Sequence, residues 1–118
     1  MEVKKLDFIG SSQDDLREFP DEVKQDMGYA LFEVQMGRKP VGAKPLKWFG
    51  GAGVLEIIED FVGDTYRAVY TVKFVRVVYV LHCFQKKSKS GIKTPQHEID
   101  LIKQRLKAAE EDYRSHYK

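Results

Sequence analysis

"GVLEIIEDFVGDTYRAVYTVKFVRVVYVLHCFQKKSKSGIKTP", residues 53–95, decides the fold of this 118-residue chain. Val, Ile, Tyr and Phe dominate the segment. Short breaks divide it into three runs, at 54–61, 65–72 and 77–87. Runs of that length and composition read as strands. Gly63-Asp64 supplies a two-residue hairpin turn between the first and second runs. The second turn, "KFVR" at 73–76, has no Gly or Asn and is placed only by the change in pattern. The last strand does not end in solvent-neutral residues. It passes through His82, Cys83, Phe84 and Gln85, delivers Lys86 and Lys87, and continues into a basic loop with Lys89 and Lys93.

Working outward, "VKKLDFI" reads as a short first strand. "SSQDDLREF" follows, with Ser11 or Ser12 as a helix cap and acids in the first turn. Pro20 suits a first helical position. Val23, Met27, Ala30, Leu31 and Val34 then recur at the three- and four-residue spacing of an amphipathic helix, which Gly37 and Pro40 stop. "GRKPVGAKPLKWFGGAG" holds five glycines, two prolines and four Lys/Arg, and reads as a connector with Trp48 plugging the core edge. It carries neither a Walker pattern nor a GxGxxG after a strand. Thr94-Pro95 caps a final helix whose apolar face is Ile99, Ile102, Leu106, Ala109 and Tyr113. The expected architecture is α/β of the α+β kind, one domain over 1–118. An antiparallel sheet of about four strands carries an N-terminal helical hairpin and a C-terminal helix.

Hydrophobic residues make up 42% of the chain, enough for one core. No apolar run reaches the roughly eighteen residues of a membrane span, and the N-terminus lacks the apolar stretch of a signal peptide, so a cytoplasmic location is expected. The single cysteine, Cys83, allows no intramolecular disulfide. Three scattered histidines and one cysteine form no metal-binding pattern, and no cofactor is expected. The net charge of +2 conceals a split. Residues 1–36 hold four Lys/Arg against nine Asp/Glu, and residues 37–94 hold eleven Lys/Arg against four acids. Segregation of this kind points to a basic functional surface and an anionic partner.

Two-residue turns in both hairpins set a register, with Val62 facing Thr65 and Lys73 facing Arg76. Arg67 then lies between Asp60 and His82. Side chains alternate across a sheet. One face collects Leu55, Ile57, Phe61, Tyr66, Ala68, Tyr70, Val72, Val77, Tyr79, Leu81 and Cys83, a core for the amphipathic helices. The other collects Glu56, Ile58, Asp60, Arg67, Val69, Thr71, Val78, Val80, His82, Phe84 and Lys86. A mid-strand arginine on a half-covered face is costly unless paired.

Such a face suits metal-free RNA cleavage through the 2′-OH. That chemistry takes a base, cations for the crowded phosphate, and an acid for the leaving oxygen. Arg67 fits bidentate phosphate contact, and Lys86 and Lys87 add charge. Glu56, Asp60 and His82 are the candidate proton carriers, and Phe84 the candidate base-stacking ring. Lys47, Lys87, Lys89 and Lys93 complete the expected RNA-binding set. The plainer readings are a structural Arg67–Asp60 salt bridge, a structural His82, a solvent-facing Glu56 and a solvated lysine loop. Cys83 reads as packing.

The "GxxEI" strand, the "YRAVY" strand and "YVLHCFQKKS…KTP" running into the last helix resemble the phage-derived, HigB-type branch of the RelE/ParE toxin superfamily. "KPLKWFGGAGVLEI" is similar to that family's loop. The resemblance implies a small antiparallel sheet flanked by helices. It implies the toxin of a toxin–antitoxin pair, a ribosome-dependent mRNA endonuclease neutralised by a separate, helix-turn-helix antitoxin. By the same resemblance the arginine of "YRAVY" is Arg67, the lysines of "FQKK" are Lys86 and Lys87, and the glutamate of the "GxxEI" strand is Glu56. The alternatives are a non-catalytic RNA- or protein-binding module on the same basic face, and a toxin acting on a protein target, as the ParE branch does on gyrase.

Overall fold

The computed structural model describes residues 3–47, 49–51, 53–87 and 94–117. The chain runs β1 (Lys5–Phe8), α1 (Ser12–Arg17), α2 (Asp21–Gln35), β2 (Lys44–Pro45), β3 (Val54–Phe61), β4 (Asp64–Thr71), β5 (Val77–Lys87) and α3 (Gln96–His116). The strands form one five-stranded sheet in the order β1-β5-β4-β3-β2. The expected meander is its centre. β1 adds to β5 in parallel, so the sheet is mixed at that edge. A parallel neighbour requires a long crossover, and the chain between β1 and β5 supplies it. β2 is the strand beyond the four expected. It is only two residues long and carries Pro45, which an edge strand tolerates.

The helical hairpin packs on one face of the sheet. Val23, Met27, Leu31 and Val34 of α2 cluster there with Ile57, Ala68, Tyr70, Val78, Val80 and Cys83. The other face is covered too. Ile102 and Ala109 of α3 meet Val69, Tyr79, Leu81 and Phe84 there. The face that carries Arg67 is therefore a second core and not a half-solvated surface. Each large aliphatic or aromatic side chain buried in these two layers contributes about 1.5–3 kcal/mol.

Local chemistry moves several expected boundaries. Pro20 and Pro95 are N-cap residues, one position before the helices begin, and Ser11 caps α1. The first hairpin turns on Val62-Gly63 instead of Gly63-Asp64, because Phe61 pairs with Asp64. Both turn residues have positive φ, 49° at Val62 and 82° at Gly63, and glycine serves the second position of such a primed turn best. The register is shifted by two residues from the expected one, which leaves every side chain of β3 on its expected face.

The second hairpin departs further. Val69 pairs with His82 but Tyr70 pairs with Val80, so Leu81 is an extra residue in β5. This β-bulge reverses the alternation of the strand. Val77, Tyr79 and Leu81 therefore join the α3 side, and Val78 and Val80 join the α1–α2 side, opposite to the expected assignment. Val72, expected in the core, sits in the connection and is exposed. The bulge is held from both faces. The Val80 carbonyl accepts the Ile9 N–H at 2.9 Å and the Ser12 hydroxyl at 3.0 Å, while the Leu81 carbonyl accepts from Arg105 of α3 at 3.0 Å.

Candidate nucleic-acid interface and catalytic cleft

Arg67 lies at the centre of β4, across from Ile58 on one side and Phe84 on the other. The expected neighbours, Asp60 and His82, are each displaced by the two-residue register shift. Asp60 instead pairs with Thr65 near the exposed hairpin end and accepts its hydroxyl at 2.9 Å. Because the shift preserves the face, Arg67 still shares a side with Glu56, His82, Phe84 and Lys86.

Its anionic partner is Glu56. Arg67 Nη1 donates to Glu56 Oε1 at 3.0 Å, and both side chains are only 6% exposed. Nη1 also reaches the Thr94 hydroxyl, at 3.4 Å, just before α3 begins. Glu56 is thus buried and ion-paired, not solvent-facing. A buried ion pair stabilises a fold weakly relative to apolar packing, so its presence invites a functional account.

The pair opens onto a cleft of about 620 Å³ between β2–β3 and the start of α3. Lys44, directly across the ladder from Glu56, and Lys47 add positive charge to its wall. Leu46 and Ile99 form an apolar floor, and Gln96 stands at the rim. Lys86, opposite Thr65, has its ammonium pKa held below the ordinary 10.5. Burial is the main cause, the Arg67 charge adds to it, and Glu56 opposes it.

His82 is enclosed. Arg105 Nη1 approaches its Nδ1 at 3.3 Å, and Glu98 Oε1 lies 2.6 Å from Nε2. A guanidinium offers only donors, so Nδ1 is the accepting nitrogen and Nε2–H donates to Glu98. The ring stacks on Phe84 with centroids 4.7 Å apart and an interplanar angle of 18°. Phe84 is itself buried, with one ring face given to His82. Cys83 points to the α1–α2 core, and burial, with the Asp15 charge, pushes its thiol up to about 12, which suits packing and not nucleophilic attack. Lys89, Lys93 and Trp48 lie outside the described residues, as does the side chain of Lys87.

The structure thus brings Glu56, Arg67, Lys47 and Thr94 to one cleft, places Lys86 within electrostatic reach, and sets His82 and Phe84 in the layer beneath α3. Glu98, Arg105, Thr94 and Lys44 were given no site role from the sequence, Thr94 being read only as a helix cap. Glu98 and Arg105 had a signal: they flank the apolar stripe of α3 at a seven-residue spacing, so both face the sheet beside Ile102. Lys44 had none, because a two-residue strand leaves no period to read.

A mixed five-stranded sheet held between an N-terminal helical hairpin and one long C-terminal helix defines the class here: it is a RelE-like fold. The mutant Escherichia coli toxin RelE in its free state is similar, with a TM-score of 0.53 and 24% identity over 70% of this chain and 82% of that one. The toxin–antitoxin complex RelBE2 from Mycobacterium tuberculosis aligns at a TM-score of 0.49 and 21% identity, covering 75% of this chain and 97% of that one. No curated protein matches the chain. More particularly, residues 14–107 match the family described as phage derived protein Gp49-like (DUF891), and the chain belongs to that family. The expected RelE-like fold is therefore borne out.

Proposed function

We propose that the protein is the toxin of a toxin–antitoxin pair, of the HigB type, and that it cleaves mRNA on the ribosome through the 2′-OH. The observation that supports this most is the buried Arg67–Glu56 pair opening onto a cleft lined by Lys44 and Lys47. Arg67 would hold the scissile phosphate and neutralise charge as the phosphorane-like transition state forms. A guanidinium carries its N–H donors in a rigid planar fork whose geometry matches two phosphate oxygens. Glu56 would orient the guanidinium and accept the 2′-OH proton. Lys86, whose proton is held less tightly than in an ordinary lysine, would donate to the leaving 5′ oxygen. His82, gripped by Glu98 and Arg105, would fix the start of α3, and with it Thr94, against Arg67. Lys47, Lys87, Lys89 and Lys93 would extend the phosphate-binding surface, with Phe84 backing it from the layer below. A cognate helix-turn-helix antitoxin would neutralise the protein by binding it.

Induction followed by mapping of mRNA 5′ ends tests the proposal. New ends should appear within translated messages for the wild type. They should fall sharply for Lys86→Ala, a change at a half-buried position near the end of β5. Intact messages with wild-type protein would refute mRNA cleavage, and DNA damage with intact messages would point to a protein target such as gyrase.

A further inference from the structure

We infer that the cleft beside the Arg67–Glu56 pair is a single-nucleotide subsite, with Lys44 as a phosphate contact and Gln96 as the residue that discriminates the base. The inference rests on the function proposed above for the same cleft, and it adds what the cleft holds.

Size, polarity and layout all bear on this. A volume of about 620 Å³ lies within the ~300–1,000 Å³ range of small-ligand pockets, so it admits one nucleotide and not a duplex. The cleft is polar on one side and apolar on the other. Lys44 and Lys47 come from β2 and the residues just after it, and Arg67 comes from β4, so the cations gather on the sheet side. Lys44 stands opposite Glu56 in the ladder, and Glu56 in turn takes the Arg67 guanidinium. Leu46 and Ile99 are buried and present aliphatic surface, while Pro95 adds a ring at the α3 side. A phosphate against the cations lays the attached base over that aliphatic floor. An unstacked base is ordinarily held in this way, with its face on an apolar surface and its edge on a polar side chain.

Gln96 is the polar side chain at the right place. Its Nε2 donates to Asp100 Oδ1 at 2.9 Å, one turn further along α3, which fixes the amide orientation. The fixed amide then presents a carbonyl oxygen as acceptor and its second N–H as donor. An oriented donor–acceptor pair reads a base edge, whereas a rotating one accepts any base. The surrounding cations carry no such information, because a phosphate is the same on every nucleotide.

The experiment uses the full chain and the four ribonucleoside 3′-monophosphates. Binding is followed by NMR through the amide signals of Leu46, Gln96 and Ile99. The wild type should bind all four with unequal affinity. Lys44→Ala should weaken all four by a similar factor of about 5–10, as loss of a phosphate contact does. Gln96→Leu should keep binding and bring the four affinities within about twofold of one another, as loss of an edge contact does. Both positions are exposed, so neither change threatens folding. Absence of shifts at these residues, or a wild-type ranking that survives in Gln96→Leu, overturns the subsite. The two proposals fail separately. Cleavage of messages without mononucleotide binding here removes the subsite and leaves the nuclease. Mononucleotide binding as described, with intact messages, removes the nuclease and leaves the subsite.

Discussion

Replacing Glu56 by Gln tests whether the site is held together by its ion pair. The change keeps the shape and removes one charge from a pair 3.0 Å apart whose side chains are 6% exposed. Two unit charges about 4 Å apart interact by about 4 kcal/mol at the effective dielectric suited to such sites. Removing one partner of a buried pair costs about 3–5 kcal/mol, because the other charge stays buried without its counter-charge. Here the penalty falls on more than Arg67. Lys44 lies across the strand from Glu56, and the Lys86 ammonium feels both members of the pair. Glu56→Gln therefore leaves three cations around a neutral amide. Urea unfolding should show a loss of about 3–5 kcal/mol with an unchanged m-value, a large share of the ~5–15 kcal/mol typical of a domain. Arg67→Met should cost a similar amount. The double variant should cost at least about 2 kcal/mol less than the two singles together, since both charges then leave the interior. Added salt should reduce the Glu56→Gln penalty to the extent that Lys44 contributes to it, because that lysine is exposed. A Glu56→Gln protein within about 0.5 kcal/mol of wild type, or strictly additive singles, would refute the pairing as the organiser of the site.

Three other perturbations have outcomes that the structure specifies. Val62 is 85% exposed and sits at φ 49°, a conformation that costs a β-branched residue about 1–2 kcal/mol, so Val62→Asn should raise stability by about 1 kcal/mol in thermal unfolding, and an unchanged or lower midpoint would count against the turn geometry. Glu59 has its carboxyl pushed up from 4.5 to about 7 by desolvation first and then by its hydrogen bond and charge contact with Asp26 and the charge of Glu22. Between those values the folded chain holds the proton and the unfolded chain has released it, so stability contributed by this group is present below about pH 4.5 and is lost as pH rises towards 7. Glu59→Gln should remove that slope, worth about 1 kcal/mol after screening, between urea midpoints measured at pH 5 and pH 8. Arg105→Leu strips donors from the Leu81 carbonyl, His82 and Ser11, and should cost about 1–3 kcal/mol with faster amide exchange around the bulge; unchanged exchange there would mean that the bulge holds itself.

The elements of this fold were legible because their hydrophobic periods are strong. The α2 stripe from Val23 to Val34 buries every residue that its spacing selects, and the α3 stripe buries Ile99, Ile102 and Ala109 with Leu106 partly covered between them. The strand limits 54–61 and 77–87 coincide with β3 and β5. What was not legible is register. Gly63 announces a turn but does not say which of its two neighbours shares it, and the answer follows from the positive φ that both turn positions need. β2 was invisible because two residues carry no alternation. The bulge was invisible because no glycine marks it; its signal is distributed over Ser12 and Arg105, which are 93 positions apart in the chain and meet only on β5.

The bulge also explains why the face of Arg67 was identified correctly although its neighbours were not. Every residue of the candidate site on β5 lies after Leu81, where the alternation again matches that of β4, and every misassigned residue lies at or before it. Both register shifts beyond that point are of two residues, the smallest error that preserves side-chain direction. Within this segment the sequence pattern therefore conveys which residues share a face more securely than which residues touch. Contact within the face came from side-chain reach. Arg67 passes over its direct neighbour Ile58 to the diagonal Glu56, because a carboxylate two residues along the adjacent strand lies within the span of a guanidinium and an aliphatic neighbour offers it nothing. Glu56 and Asp60 occupy the two diagonal positions and carry the same charge, so charge alone does not choose between them: Asp60 accepts from Thr65 near the exposed hairpin end, and the buried Glu56 takes the guanidinium beside the cleft.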